Sequence, residues 1–134
     1  MKKFFYILSA VLLLLLTSVS CTKEEPFNYS KDELCGTWEG TAIKTDPGKQ
    51  WIDITQYPFD KFKFSITFYS NGTYYGRGYF GNGEGTYKAF GNTIETYVEG
   101  VPYFIYTVKS MKDNKAELTM SSGGSSMEIR VVKR

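Results

Sequence analysis

The chain contains no histidine. That removes the general base of Ser-His-acid and Cys-His catalysis. With two cysteines and scattered carboxylates, no metal-ligand spacing is present either. Gly76-Arg77-Gly78 and Gly81-Asn82-Gly83-Glu84-Gly85 are rich in glycine, but no helix or Lys-Ser/Thr pair follows them, so they form no phosphate loop. Carboxylate pairs such as Asp53 with Asp60, or Glu95 with Glu99, remain. Their spacing on short segments does not predict that they meet. The residues point away from an enzyme, and no cofactor is expected.

Long apolar runs are also lacking, except at the start. Met1-Lys2-Lys3 leads into an apolar stretch from Phe4 to Leu16, then small residues and Cys21. A basic start, an apolar core and a small-residue exit are the parts of a secretory signal. The stretch falls short of the roughly 20 apolar residues of a membrane span. An anchor that is never cut is the alternative. Ser18-Val19-Ser20-Cys21 resembles a lipobox, although Ser18 stands where that pattern prefers Leu. The resemblance implies a signal peptide over 1–20 and lipidation of Cys21, whose thiol forms the thioether. Two or more acyl chains then give stable anchoring, each buried CH₂ contributing about 0.8 kcal/mol.

Cleavage also removes Lys2 and Lys3. The 16 basic residues fall to 14, against 14 acidic ones. A near-neutral domain argues against nucleic acid as a partner. Cys35 has no disulfide partner if Cys21 is acylated, and Leu34-Cys35-Gly36 offers no basic neighbour to activate the thiol. A small buried hydrophobe is the expectation. Residues 21–32 are charged, contain Pro26 and show no periodicity, so they read as a flexible tether ahead of a domain over 33–134. Thr22-Lys23-Glu24-Glu25 resembles a signal that sends lipoproteins to the outer face of the outer membrane; an ordinary charged linker is the alternative. Ser30-Lys31-Asp32-Glu33 has the form of a helix N-cap.

From Gly36 onward, short alternating runs are divided by turn residues. The spacing predicts strands at 36–43, 50–57, 62–69, 73–80, 84–90, 93–98, 103–110, 115–120 and 126–132. Connections this short pair each strand with its sequence neighbour. An all-β, up-and-down antiparallel meander follows, and eight or nine strands close into a barrel that leaves no edge exposed. Phe62, Phe64, Ile66 and Phe68 share one face; so do Ala116, Leu118 and Met120, then Met127, Ile129 and Val131. Across Ser70-Asn71-Gly72 a two-residue turn would set Ile66 opposite Arg77 and drive a charge inward. A three-residue loop sets Phe68 opposite Tyr74 and Ile66 opposite Gly76, and is preferred because a buried unpaired Arg costs several kcal/mol. Arg77, Tyr75 and Tyr79 then face outward. Gly76 and Gly78 face inward and either leave space or ease a bend.

Gly36-Thr37-Trp38 at the head of the first strand resembles the Gly-x-Trp signature of the lipocalin and calycin group. Phe68-Tyr69-Ser70-Asn71-Gly72-Thr73-Tyr74 and Gly85-Thr86-Tyr87-Lys88-Ala89-Phe90-Gly91-Asn92-Thr93-Ile94 are similar to strand-turn-strand units of small bacterial lipocalin-like lipoproteins. The resemblance implies that Gly36 and Trp38 plug one end of the barrel and that Arg130 packs over the indole, with Arg134 in reserve. The chain departs from the group in its shortness and in lacking a C-terminal helix. Arg130-Val131-Val132 replaces the Arg-x-Tyr of fatty-acid-binding relatives.

The function expected is non-catalytic binding of a small apolar or amphipathic ligand. Phe64, Ile66, Phe68, Tyr74, Gly76, Gly78, Tyr87 and Tyr106 are the candidate lining. The alternative is a protein-interaction or inhibitor module with a filled core, which would use Tyr57-Pro58-Phe59 and Tyr74-Tyr75 with Tyr79. An outer-membrane lipoprotein, displayed at the cell surface or facing the periplasm, is the expected setting.

Overall fold

The computed structural model describes residues 25–45 and 49–134. The expected signal peptide 1–20, Cys21 and the first part of the tether lie outside the described residues. Among the described residues, nine strands follow one another: β1 (Gly36–Lys44), β2 (Ile52–Asp53), β3 (Phe64–Phe68), β4 (Thr73–Gly78), β5 (Gly83–Phe90), β6 (Thr93–Val98), β7 (Val101–Lys112), β8 (Lys115–Ser122) and β9 (Ser125–Lys133). Eight of them run antiparallel from β1 through β3 to β9, and β9 returns to pair with β1. The sheet is a closed barrel, and β2 flanks β1 as an extra strand.

The segment expected as a strand over 50–57 is strand only at Ile52–Asp53. The Asp53 carboxylate accepts hydrogen bonds from the Thr55 amide (2.8 Å) and hydroxyl (2.6 Å), which turns the chain at once. These bonds hold the carboxyl below its usual range, the hydroxyl first, so Asp53 serves a turn. A 3-10 turn over Phe59–Phe62 follows, placing Phe62 ahead of β3.

The β3–β4 hairpin has the three-residue loop. Phe68 faces Tyr74, Ile66 faces Gly76 and Ser65 faces Arg77. Gly72 takes the left-handed conformation (φ 89°), and Asn71 Oδ1 accepts from the Thr73 amide and hydroxyl. The inward faces named above are buried at Phe64, Ile66, Phe68, Ala116, Leu118, Met120, Ile129 and Val131. Three bulges interrupt the pairing: in β1 between Gly40 and Ala42, in β7 between Pro102 and Ile105 opposite Glu95 and Tyr97, and again in β7 between Val108 and Ser110. The first brings Ile43 inward instead of Ala42.

Packing begins before residue 33. Phe27 forms a parallel bridge with Gly91, the Asn28 amide donates to the Gly91 carbonyl (2.7 Å), and the Gly91 amide donates to Pro26 (3.1 Å). A four-residue helix, α1 (Lys31–Leu34), lies across this end, capped by Ser30 Oγ accepting from the Glu33 amide (3.0 Å).

Trp38 stops that end. Its indole is only 3% exposed and donates to the Leu34 carbonyl (2.7 Å). Arg130, expected over this ring, lies instead 3.9 Å from the Trp51 centroid and pairs with Glu117 on the outer wall. Arg134 pairs with Glu39. The cation at Trp38 is Lys133, 5.5 Å from the ring centroid. Its ammonium donates to Glu33 O (2.7 Å), Asp32 O (3.0 Å) and Cys35 O (3.3 Å). Trp38 and Lys133 thus satisfy four successive carbonyls at the C-terminal end of α1, groups a short helix otherwise leaves to water. The reason is parity. Met127, Ile129, Val131 and Lys133 share a face, and Arg130 belongs to the other. Gly36 clears the path: a Cβ there would stand 2.8 Å from Lys133 Cδ.

Candidate functional site

An up-and-down meander puts alternate turns at opposite ends. The turns at 70–72, 91–92 and 113–114 sit with α1 and Trp38. Those at 79–82, 99–100 and 123–124 form the open end. A cavity of about 230 Å³ lies there, between the start of β3, the end of β4, the 79–82 loop and the start of β7. Phe64, Ile66, Tyr74, Gly76 and Tyr106 line it, together with Phe80, Val98, Tyr103 and Phe104.

Three of the candidate lining residues lie elsewhere. Phe68 and Tyr87 pack edge to face (centroids 5.0 Å apart) toward the plugged end, where Tyr87 lies beside Phe27 and Leu34. Gly78 has φ 100°, and a Cβ on it would press on the Lys63 carbonyl and stand 2.7 Å from Phe64 Cα. It is a bend forced by close backbone approach. Gly76 is different: a Cβ there would meet nothing closer than the Gly81 and Gly83 carbonyls, at 3.8 and 3.9 Å. The residues not anticipated, Phe80, Tyr103 and Phe104, flank two alternate turns. Turn order was the available signal for them.

The walls are held by aromatic contacts. Phe64 meets Phe80 edge to face at 4.9 Å, Phe80 meets Phe104 at 6.2 Å, and Tyr103 meets Phe104 at 4.6 Å. The Tyr103 hydroxyl donates to the Phe80 carbonyl (3.1 Å), tying β7 to the 79–82 loop. Asn82 Oδ1 accepts from the Gly78 amide (3.1 Å). Burial pushes the Tyr74 and Tyr106 phenols above the usual tyrosine range, with nearby phenols adding to the effect. Both therefore remain neutral at physiological pH. Below the cavity the barrel is filled by Phe68, Ile94, Leu118, Ile129 and other buried side chains.

Outside the mouth, Phe59 stacks on Phe62, and Phe62 meets Tyr79 at 4.8 Å. Tyr57 is 89% exposed, and Tyr79 and Tyr103 are also exposed, so the mouth has an aromatic rim. Tyr74, grouped above with an outer patch, is buried inside.

Cys35 is half-buried, its sulfur 3.8 Å from the Tyr87 hydroxyl. That hydroxyl donates to the Tyr69 carbonyl (2.7 Å). Among the described residues, no group of three or more Cys, Asp or Glu side chains is placed to hold a metal ion, and no helix is long and apolar enough to cross a membrane. The barrel is compatible with a calycin-like fold. Comparison with protein-family models, curated proteins and solved structures finds no match to the chain.

Proposed function

We propose that the chain is a lipid-anchored, non-catalytic, lipocalin-like binding protein of the bacterial envelope, holding a small apolar or amphipathic molecule at the open end of its barrel. The observation that carries this reading is the aromatic cavity opposite a plugged end. Apolar clefts with few polar groups are the usual form of small-molecule sites. The volume of about 230 Å³ lies below the roughly 300–1,000 Å³ of drug-sized pockets, so the ligand is small.

Lipidation of Cys21 would give the site a direction. Pro26 lies five positions after Cys21 and is tied to Gly91 at the plugged end. An extended chain spans at most about 3.6 Å per residue, so the plug would stay within about 18 Å of the acyl anchor. The mouth then faces away from that membrane, and the ligand arrives from the aqueous side.

A second reading draws on the exposed rim of Tyr57, Phe59, Tyr79 and Tyr103. Such a rim suits contact with another protein. Native mass spectrometry of the chain isolated from its host membranes separates the two: a co-purifying small molecule supports the first, a co-purifying protein with an unliganded barrel the second. Cys21→Ala should release the chain from membranes. Retention of the variant would end the lipoprotein reading.

A further inference from the structure

The cavity constrains its occupant by size, charge and hydrogen bonding. An apolar cavity of about 150 Å³ accepts benzene. The present one, at about 230 Å³, therefore takes one substituted ring, and the filled barrel beneath stops a long acyl chain. The sole charged side chain of the lining, Arg77, is exposed and lies 5.3 Å from the ring of its outward-facing neighbour Tyr75. No charged partner therefore waits inside, and an ion desolvated without one is strongly disfavoured.

Polar groups inside are few and mostly engaged. Tyr103 donates to Phe80, and Asn82 accepts from Gly78. A sugar ring, with hydroxyls on every side, would lose more hydrogen bonds than it could regain. Tyr106 differs. Its residue is 4% exposed, and its hydroxyl makes no hydrogen bond among the described residues. Yet no fully buried side-chain polar atom there lacks a partner. Its hydroxyl therefore opens onto the cavity that its residue lines.

Resting on the binding reading above, we infer that the cavity selects a neutral, single-ring aromatic compound bearing one hydroxyl or carbonyl oxygen, which accepts a hydrogen bond from Tyr106 Oη. Gly76 carries no side chain into the cavity, and Phe64, Phe80 and Phe104 line the space left for the ring.

The test uses the chain as expressed and isolated, with p-cresol, toluene, benzoate, decanoate and methyl glucoside followed by ligand-observed NMR and calorimetry. The expectation is that p-cresol binds most tightly, toluene more weakly, and the other three do not compete. Tyr106→Phe should weaken p-cresol by about two- to tenfold and leave toluene unchanged, because it removes one hydrogen bond and no volume. Gly76→Leu should abolish binding of both rings while the melting temperature holds. Equal effects of Tyr106→Phe on p-cresol and toluene would overturn the Tyr106 assignment. Binding of benzoate or decanoate that is sensitive to Gly76→Leu would overturn the ligand class and leave the binding reading standing. If none of the probes binds at millimolar concentration, the ligand class falls. If native mass spectrometry also yields no small molecule, the binding reading falls with it.

Discussion

Replacing Lys133 with Met tests the plug directly. Methionine keeps much of the apolar stem beside Trp38 and deletes the ammonium that serves the carbonyls of Asp32, Glu33 and Cys35. Charged hydrogen bonds contribute about 1.5–3 kcal/mol each, but Asp32 and Glu33 are exposed and water replaces part of their loss. The indole contact adds about 0.5 kcal/mol. A net loss of about 2–3 kcal/mol follows once that replacement is allowed for. With an unfolding entropy of about 2.1 cal/mol/K per residue, a domain of this size loses about 4 °C for each kcal/mol, so the melting temperature should fall by about 8–12 °C. Arg130→Met is the control. It removes an exposed ion pair and a stack on Trp51 at the outer wall, together about 0.5–1 kcal/mol, or about 2–4 °C. Thermal melts followed by circular dichroism, with near-ultraviolet spectra for the Trp38 environment, read the difference. Equal shifts for the two variants, or a larger one for Arg130→Met, would refute the assignment of Lys133 to the plug.

Gly76 and Gly78 of β4 should separate in the same assay. Gly76→Ala is expected to leave the melting temperature within a few degrees, since its Cβ would meet the Gly81 and Gly83 carbonyls only at ordinary van der Waals distance. Gly78→Ala should cost several kcal/mol by combining positive φ with backbone overlap, and an unchanged melt would contradict the register. Alkaline stability tests the buried phenols. Burial first, then the Cys35 thiol, pushes Tyr87 up to about 12, whereas an unfolded tyrosine ionises near 10. Between those values the unfolded chain binds fewer protons, so stability falls as pH rises from about 10 to about 12. Urea midpoints measured across that window should decline, and Tyr87→Phe should flatten the decline; a slope unchanged by the variant would argue against it. If Cys21 is lipidated, a fluorophore on Asp113→Cys in a Cys35→Ser background should transfer energy to a bilayer dye more efficiently than one on Val101→Cys. The reverse order would mean that the mouth faces the membrane.

Much of the barrel was readable from local chemistry, because period-two alternation and turn residues act over a few neighbours. Phe64, Ile66 and Phe68 declared an inward face. Ser70-Asn71-Gly72 declared its loop, since the other register would bury Arg77. The plugged end was indicated by the resemblance of Gly36-Thr37-Trp38 to the Gly-x-Trp signature. What crossed long sequence separations was not readable in the same way. Arg130 and Lys133 are both cations on one strand, and only closure of β9 onto β1 decides which meets Trp38. The 50–57 run alternates like a strand, yet Asp53 and Thr55 prefer a side-chain turn. The bulge after Gly40 exchanges Ala42 for Ile43, a shift set by pairing with a partner about 90 positions away. Whether an inward glycine leaves space or a collision depends on what stands opposite: loop carbonyls at van der Waals distance for Gly76, the β3 backbone for Gly78. Alternation along a strand determined which side chains turn inward. The volume left among them was decided by how eight strands close, because a cavity belongs to all of its walls at once.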